Sequence, residues 1–131
     1  MATPYVIADG ELYHMDSILT TIKTMLDIPE DCLDYDTRLV RHINKTLMRL
    51  SQLGVGPAKP LRIVDNTSTW DELFLENEDL EGAIDYIYLE VKKIFDPPTS
   101  SFVLDAMQKE SDKLEWCLNV QAETEEVLTD E

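Results

Sequence analysis

Basic residues, cysteine and histidine are scarce in this chain, and each shortage excludes a class of function. The 131 residues include 11 Lys and Arg against 27 Asp and Glu, which gives a formal net charge of -16. Such a surface repels phosphate, so binding to nucleic acid by charge neutralisation is not expected. The two cysteines, Cys32 and Cys117, lie far apart and outside any CxxC spacing, so we predict neither a disulfide framework nor a zinc site.

Long apolar runs are also missing. No segment approaches the ~20 apolar residues that a helix needs to span a bilayer. Residues 1–15 have neither the basic start nor the apolar centre of a secretory signal peptide. We therefore expect a protein that is made and kept in a cytoplasm, has no membrane partner and is short enough to form a single domain.

Patterns that indicate catalysis are not found either. Residues 54–59 lack the spacing of a phosphate-binding loop, and His14 and His42 cannot supply an HExxH zinc site. Glu78 and Glu81 form an ExxE pair similar to that of magnesium-dependent nucleotide pyrophosphohydrolases, but the ExxD pair that should follow is missing. We predict no catalytic residue, no metal site and no cofactor.

Apolar residues recur at the spacing of one helical face in four segments, residues 16–28, 36–50, 79–95 and 100–118. A capping-box pattern from Thr69 to Glu72 predicts one short further helix. The predicted core stripes are Ile18, Leu19, Ile22, Met25 and Leu26; Leu39, Val40, Ile43, Leu47 and Leu50; Leu80, Ala83, Ile84, Ile87, Val91, Ile94 and Phe95; and Phe102, Val103, Ala106, Met107, Leu114, Cys117 and Leu118.

These elements predict an all-α fold, a compact helical bundle of four main helices plus a short helix. Residues 1–15 carry a short β-hairpin signal around Asp9 and Gly10, and residues 61–64 read as a strand-like piece. We divide the chain into an N-terminal extension over residues 1–15, a helical domain over residues 16–121 and an acidic flexible tail over residues 122–131. The tail is rich in acids and has little to bury.

A rigid corner separates the last two predicted helices, and its residues are Phe95, Asp96, Pro97, Pro98, Thr99 and Ser100. Proline disfavours helical geometry in the residue before it, and a hydroxyl side chain can cap the helix that follows. One helix must therefore end here and another begin. Together with QLGVGP at residues 52–57 and LEWCLN at residues 114–119, this corner resembles the head-tail connector (adaptor) family of long-tailed phages.

The resemblance covers residues 16–121 and implies an all-α virion protein without enzymatic activity. Similar proteins assemble as a ring under the portal, lengthen the DNA channel and carry the stopper and then the tail. The implied partners are further copies of the chain in a ring that matches portal symmetry, the portal protein, and a stopper or tail-completion protein. DNA would pass through without sequence-specific binding. The implied location is the head-tail interface of the virion, after synthesis in the host cytoplasm.

Basic residues cluster on one flank of the second predicted helix, which is unusual in so acidic a chain. Arg38, Arg41, Lys45 and Arg49 follow one another at intervals of three or four residues. Two interpretations are open. These side chains could pair within the chain with acidic residues of the segment 65–90, or they could meet acidic residues of a neighbouring copy. They are our first candidates for subunit contacts.

Four other residues, Tyr86, Leu89, Phe102 and Trp116, are further candidates for subunit contacts. Tyr86 and Leu89 lie opposite the apolar stripe of their helix, so they contact either a ring neighbour or, within the same chain, the N-terminal segment or the loop over residues 55–75. Trp116 lies at the edge of its stripe, where it could anchor a partner or border the core.

A last set, Glu76, Glu78, Asp79 and Glu81, supplies acidic candidates for the channel surface. Like charge would keep DNA from adhering there. The acidity also leaves a second hypothesis open, a small inhibitor that mimics DNA and binds a DNA-handling enzyme as a monomer or dimer.

Overall fold

A computed structural model describes residues 17–57, 59–73 and 80–129. Within these ranges the chain forms five helices and no strand: α1 (Ile18–Met25), α2 (Asp36–Gln52), α3 (Trp70–Leu73), α4 (Leu80–Phe95) and α5 (Ser101–Thr129). The predicted all-α fold of four main helices and one short helix is confirmed. The hairpin predicted in residues 1–15 lies outside the described residues.

Helices α2 and α4 form the centre of the bundle. They pack against each other, α1 lies on both of them, and α5 packs along α4. The buried apolar side chains of the helices are Ile18, Leu19 and Ile22; Leu39, Ile43, Leu47 and Leu50; Trp70 and Leu73; Ala83, Ile84, Tyr86, Ile87 and Val91; and Leu118. The core stripes predicted for the first two main helices and for most of α4 therefore face the core. Among the residues of this stripe whose side chains are described, Ile94 is the exception, since 53% of its surface is exposed.

The link between α1 and α2 is organised by a buried lysine. Only 2% of Lys23 is exposed. Its ammonium group lies 3.0 Å from the carbonyl oxygen of Glu30, 2.7 Å from that of Cys32 and 2.8 Å from a carboxylate oxygen of Asp36. The Lys23 ammonium thus joins the link to α1 and to the first turn of α2. Its ion pair with Asp36 offsets the cost of burying the positive charge.

Helix α2 ends in a glycine cap. Gly54 has φ +89°, and the Val55 N–H donates to the Leu50 carbonyl at 2.9 Å, as in a Schellman motif. A Cβ atom at position 54 would lie 3.2 Å from the Cβ of Ala122, so this turn also marks a close approach to α5. Asn119 strengthens that contact by donating to the Leu53 carbonyl at 3.1 Å.

Helix α5 corrects one predicted boundary. The helix was expected to end at residue 118, with a tail from residue 122, but its backbone runs to Thr129. Ala122 packs on the core, so it belongs to the bundle rather than to a tail. The acidic composition of this segment gave no indication of the contact between Ala122 and the turn at Gly54.

The face of α5 that meets the bundle also differs from the predicted one. Of the predicted stripe, Leu118 is buried, whereas 82% of Phe102 and 45% of Val103 is exposed. Polar residues take part in the packing instead: Ser111 is 1% exposed and its hydroxyl donates to the Glu90 carboxylate at 2.8 Å. The predicted stripe was therefore right for Leu114 and Leu118, which pack on the core, and wrong for Phe102 and Val103.

Between α2 and α3 the chain is held by side chains rather than by a sheet. Residues 61–64, predicted as strand-like, form no strand. Asn44 of α2 binds the backbone of Ile63 twice, accepting from its N–H at 2.8 Å and donating to its carbonyl at 2.9 Å. The capping box of α3 is half formed, since the Thr69 N–H donates to Glu72 at 3.1 Å while the Thr69 hydroxyl bonds to Asp71.

Replacing the buried cation should destabilise the bundle. Lys23→Met is expected to lower the free energy of unfolding by about 3 kcal/mol, because Asp36 and two carbonyl groups lose their partner. Thr24→Met, at an exposed neighbouring position of α1, serves as the control and should change stability by less than about 0.5 kcal/mol. Urea unfolding measures both. Equal midpoints for the two variants would contradict the structural role of Lys23.

Candidate functional site

The basic flank predicted from the sequence lies on α2 and borders a cleft against α4. His42, Lys45, Thr46 and Arg49 form the α2 wall, and Tyr86, Glu90 and Ile94 form the α4 wall. The cleft is open to solvent and has a volume of about 210 Å³. We call it the basic cleft. Because it contains cations, with the partly exposed Ile94 as its apolar rim, the cleft is better suited to bind an acidic protein surface than a small apolar ligand.

One end of the basic cleft is closed by a hydrogen-bonded network that joins three helices. Arg49 of α2 makes a bidentate contact with Glu115 of α5, with N–O distances of 3.1 and 2.9 Å. The hydroxyl of Tyr86, on α4, donates to the same carboxylate. Arg49 holds the pKa of Glu115 below its ordinary value. Burial of the phenol raises the pKa of Tyr86, and the hydrogen bond to Glu115 raises it further. The phenol therefore stays protonated and acts as a donor.

An aromatic cluster lies near the start of α2 and the end of α4. The Arg38 guanidinium lies over the Phe95 ring, 5.1 Å from its centroid. Tyr35 meets the same ring edge-on, with centroids 5.4 Å apart. Arg38 and Arg49 are thus both engaged within the chain, and the partner of Arg49 is on α5, outside the acidic segment 65–90 that the sequence offered as one interpretation.

Two cations of the flank remain available. Arg41 and Lys45 are exposed, and neither forms a hydrogen bond or an ion pair with any residue in the described part of the chain. Their charge affects the neighbouring imidazole. The pKa of His42 lies below 6.5 because of partial burial first, and then because of Lys45, Arg38 and Arg41. Three cations thus act on the imidazole, and Glu90, the carboxylate in the α4 wall, is paired with Lys93 at 2.7 Å.

Tyr86 was predicted to lie on an exposed second surface, and this placement is wrong. Only 1% of Tyr86 is exposed, because α5 covers it and binds its hydroxyl through Glu115. Neither alternative considered for this position, a ring neighbour or the N-terminal and 55–75 segments, included α5. Leu89 is half-buried. Phe102 and Trp116 are 82% and 67% exposed, so both remain candidates for contact with a partner.

The proline corner breaks the chain between α4 and α5 at the predicted place. The carboxylate of Asp96 pairs with Lys92 at 2.9 Å, and the Val103 N–H donates to the Ser100 hydroxyl at 3.3 Å. Pro97 and Thr99 are exposed and Pro98 is half-buried. The corner thus ends one helix and caps the next, and α5 turns back along α4.

The acidic channel candidates are not located by the structure. Glu76, Glu78 and Asp79 lie outside the described residues, and Glu81 is in the first turn of α4 without a described side chain. Among the described residues, no three His, Cys, Asp or Glu side chains are grouped as metal ligands would be. No described helix is both long and apolar enough to cross a membrane.

Sequence reasoning missed Glu115, although a signal was present. Ser111, Glu115 and Asn119 recur every four residues and so share one face of α5. Each of them makes a hydrogen bond to α4, α2 or the end of α2. A polar stripe at helical spacing can therefore indicate a packed face when its members have the right partners.

Because of the Glu115 carboxylate, the free energy of unfolding should depend on pH in the acidic range. Its pKa is lowered in the folded chain, so its contribution is complete above about pH 4.5 and is lost as the pH falls through the lowered value. The stability difference between wild type and Glu115→Gln should therefore be largest near neutral pH and shrink in acid. Urea unfolding at a series of pH values measures it.

Tyr86→Phe is the matched control, because it removes the hydroxyl but keeps the titrating carboxylate. It should cost about 1 kcal/mol and retain the acid dependence of the wild type. A Glu115→Gln protein whose stability follows pH as the wild type does would contradict the role given to the network.

The pKa of His42 reports the potential of the basic cleft. Lys45→Gln is expected to raise this pKa toward 6.5, because one of the charges that lowers it is removed. NMR titration of the imidazole protons measures the change, and the chain has only two histidines to assign. Lys109→Gln on α5 should leave the pKa of His42 unchanged. The same value in all three proteins would contradict a positive cleft.

Comparison with known proteins identifies the family. The phage connector protein family matches residues 18–125, a span that begins with α1 and ends within α5. No curated protein and no solved structure matches the chain. The match covers most of the chain and agrees with the resemblance carried by the proline corner. The chain therefore belongs to the phage connector protein family, whose members have a structural role at the junction of phage head and tail.

Proposed function

We propose that this protein forms a ring beneath the portal, where it extends the DNA channel and provides the platform for the stopper and the tail. Membership of the connector family supports a virion component that contacts other head and tail proteins. The observation that carries the ring is the basic cleft. In a chain of net charge -16, Arg41 and Lys45 stand exposed without a carboxylate partner among the described residues.

Such cations have a natural complement in a second copy. The surface of each copy is dominated by acids, and charged groups across an interface mainly determine partner choice and orientation. A contact between the basic cleft of one copy and a different, acidic surface of the next is heterologous. Heterologous contacts repeat from copy to copy, and they close into a ring when the rotation between neighbours allows it.

The charge balance also fits a conduit for DNA. A duplex inside an acidic ring is repelled from the wall over a Debye length of about 8–10 Å, so it slides without being gripped. The acidic candidates Glu76, Glu78, Asp79 and Glu81 would contribute to this repulsion if they face the channel. The role needs no bound cofactor and no catalysed reaction.

Charge reversal at Lys45, which lines the basic cleft, and at Arg41, one turn before it on α2, tests the ring. Arg41→Glu/Lys45→Glu should prevent ring formation while the monomer keeps its helical circular dichroism, because both substitutions are at exposed positions of α2. Light scattering and negative-stain images, with and without portal particles, measure the assembly. The control, Lys59→Glu/Arg62→Glu, makes the same charge change at exposed positions of the link before α3 and should assemble normally.

Three results would decide against this proposal. Intact rings of the cleft variant would remove the basic cleft from the subunit contact. Equal loss of assembly in both variants would indicate a general effect of charge. A wild type that stays monomeric even on portal particles, and instead binds a DNA-handling enzyme, would favour the acidic inhibitor.

A further inference from the structure

The side of α5 that faces away from the bundle carries an unusual combination of side chains. Phe102, Ala106, Lys109, Lys113, Trp116 and Val120 follow one another at the spacing of a single helical face. At about 100° per residue, this face lies half a turn from the buried residues Ser111 and Leu118. We call it the outer face of α5. It consists of exposed apolar and basic residues in a helix whose other exposed positions are mostly acidic or polar.

Apolar exposure is large on the outer face. Phe102, Trp116 and Val120 are 82%, 67% and 38% exposed. Lys109 and Lys113 lie between them, and neither forms an ion pair with a described residue. Aromatic residues interleaved with cations are typical of a contact surface for an acidic protein, since the aromatic groups supply affinity and the cations select the partner.

A surface of the opposite kind lies between α1 and α2. This acidic loop, residues 27–35, contains four exposed acids, Asp27, Glu30, Asp31 and Asp34. It also exposes two large apolar side chains, Leu33 at 69% and Tyr35 at 40%. The loop therefore offers carboxylates and apolar groups together, as the outer face of α5 offers cations and apolar groups together.

The acidic loop is held in one conformation from inside. The buried ammonium of Lys23 binds the carbonyl groups of Glu30 and Cys32, and the Cys32 N–H donates to the Pro29 carbonyl at 3.0 Å. The backbone is thus fixed while the acidic side chains point to solvent. A preorganised loop loses little conformational entropy when it binds, which favours it as a docking element.

A single copy cannot bring these two surfaces together. The acidic loop is part of the bundle, connecting α1 and α2, and Tyr35 contacts Phe95 at the end of α4. The outer face of α5 points away from that bundle. Within one copy, the outer face of α5 and the acidic loop therefore remain unbound to each other. The outer face can bind the acidic loop of a second copy, and the acidic loop can bind the outer face of a third, without any change in fold.

We propose that the outer face of α5 in one copy receives the acidic loop of a second copy. The proposal rests on the ring suggested above and adds a second patch to its subunit contact. Lys109 and Lys113 pair with acidic residues of the loop such as Asp31 and Asp34. The aromatic groups of the outer face cover Leu33 and Tyr35. The two patches differ from each other, so the contact is heterologous and repeats from copy to copy.

The natural cysteines give a direct test of this contact. Cys117 is exposed beside Trp116, and Cys32 lies in the acidic loop beside Asp31. A short bismaleimide applied to assembled wild-type protein should therefore produce a ladder of cross-linked oligomers. Cys32→Ser and Cys117→Ser should each abolish the ladder. A cross-linked dimer that persists in Cys32→Ser would show Cys117 facing Cys117, because a chain with one cysteine can be joined to only one other chain. That symmetric contact would overturn the proposal, as would no cross-link in assembled rings.

Charge exchange provides an independent test. Lys109→Glu/Lys113→Glu and Asp31→Lys/Asp34→Lys should each weaken self-association by about tenfold or more, because like charges then face each other. Combining the four substitutions in one chain should restore association, and so should mixing the two double variants. The cleft variant Arg41→Glu/Lys45→Glu should not be rescued by Asp31→Lys/Asp34→Lys. A fourfold variant as weak as either double variant would overturn the proposal.

These outcomes separate this inference from the proposed function. If rings form on portal particles but neither the cross-link nor the charge exchange behaves as expected, the ring stands and this contact is wrong. If wild-type protein forms no ring in solution or on portal particles, the proposed function fails and this contact fails with it.

Discussion

The Glu115 carboxylate is the interaction on which the arrangement of the last helix depends. It binds Arg49 of α2 and Tyr86 of α4, so one side chain joins three helices. In the described part of α5, Leu118 is the one apolar side chain that is fully buried, and hydrogen bonds from Ser111, Glu115 and Asn119 supply much of the remaining contact. Leu114, Leu118 and Ala122 supply the apolar part of this contact, and the exposed Phe102 and Trp116 take no part in it.

Six of the 11 Lys and Arg residues form two groups with different roles. Lys23 and Arg49 are engaged in contacts that position structural elements, one with the acidic loop and one with α5. Arg41, Lys45, Lys109 and Lys113 are exposed and form no ion pair within the described residues. Exposed pairs within a chain contribute only about 0–1 kcal/mol, so little stability is lost by leaving them unpaired. In the proposed ring, these four cations meet the acids that every copy carries in excess.

The sequence predicted the helices that build the core and failed at the helix that carries the outer surface. In α1 and α2 the apolar spacing identified the buried face, because nothing else competes for those positions. In α5 the same reasoning selected Phe102 and Val103, which are exposed, and it did not anticipate that Glu115 faces the bundle. Apolar periodicity cannot distinguish a face that packs within the chain from one that packs against a partner. Local sequence rules are expected to fail where residues serve an interaction rather than the fold.

Tyr86 also shows that apolar periodicity does not identify every residue that packs within the chain. Its position opposite the apolar stripe of α4 predicted contact with a ring neighbour, the N-terminal segment or the loop over residues 55–75, but it is buried by α5, where Glu115 binds its hydroxyl. Long-range pairs of this kind leave no periodic trace in α4 itself. The clustering of basic residues on α2 was predicted correctly, since all of its members are on one helix. Which of them bind within the chain could not be predicted, because Arg38 contacts Phe95 of α4 and Arg49 contacts Glu115 of α5.

A ring requires more than complementary surfaces, because a heterologous contact with a variable angle gives open chains as readily as closed ones. The two surfaces of the proposed contact are therefore only useful if their relative orientation within each copy is fixed. Lys23 fixes the acidic loop against α1 and α2. The proline corner and the Glu115 network fix α5 against α4 and α2. The polar contacts that determine the position of α5 thus also determine the rotation from one copy to the next, and through it the number of copies at which a ring would close.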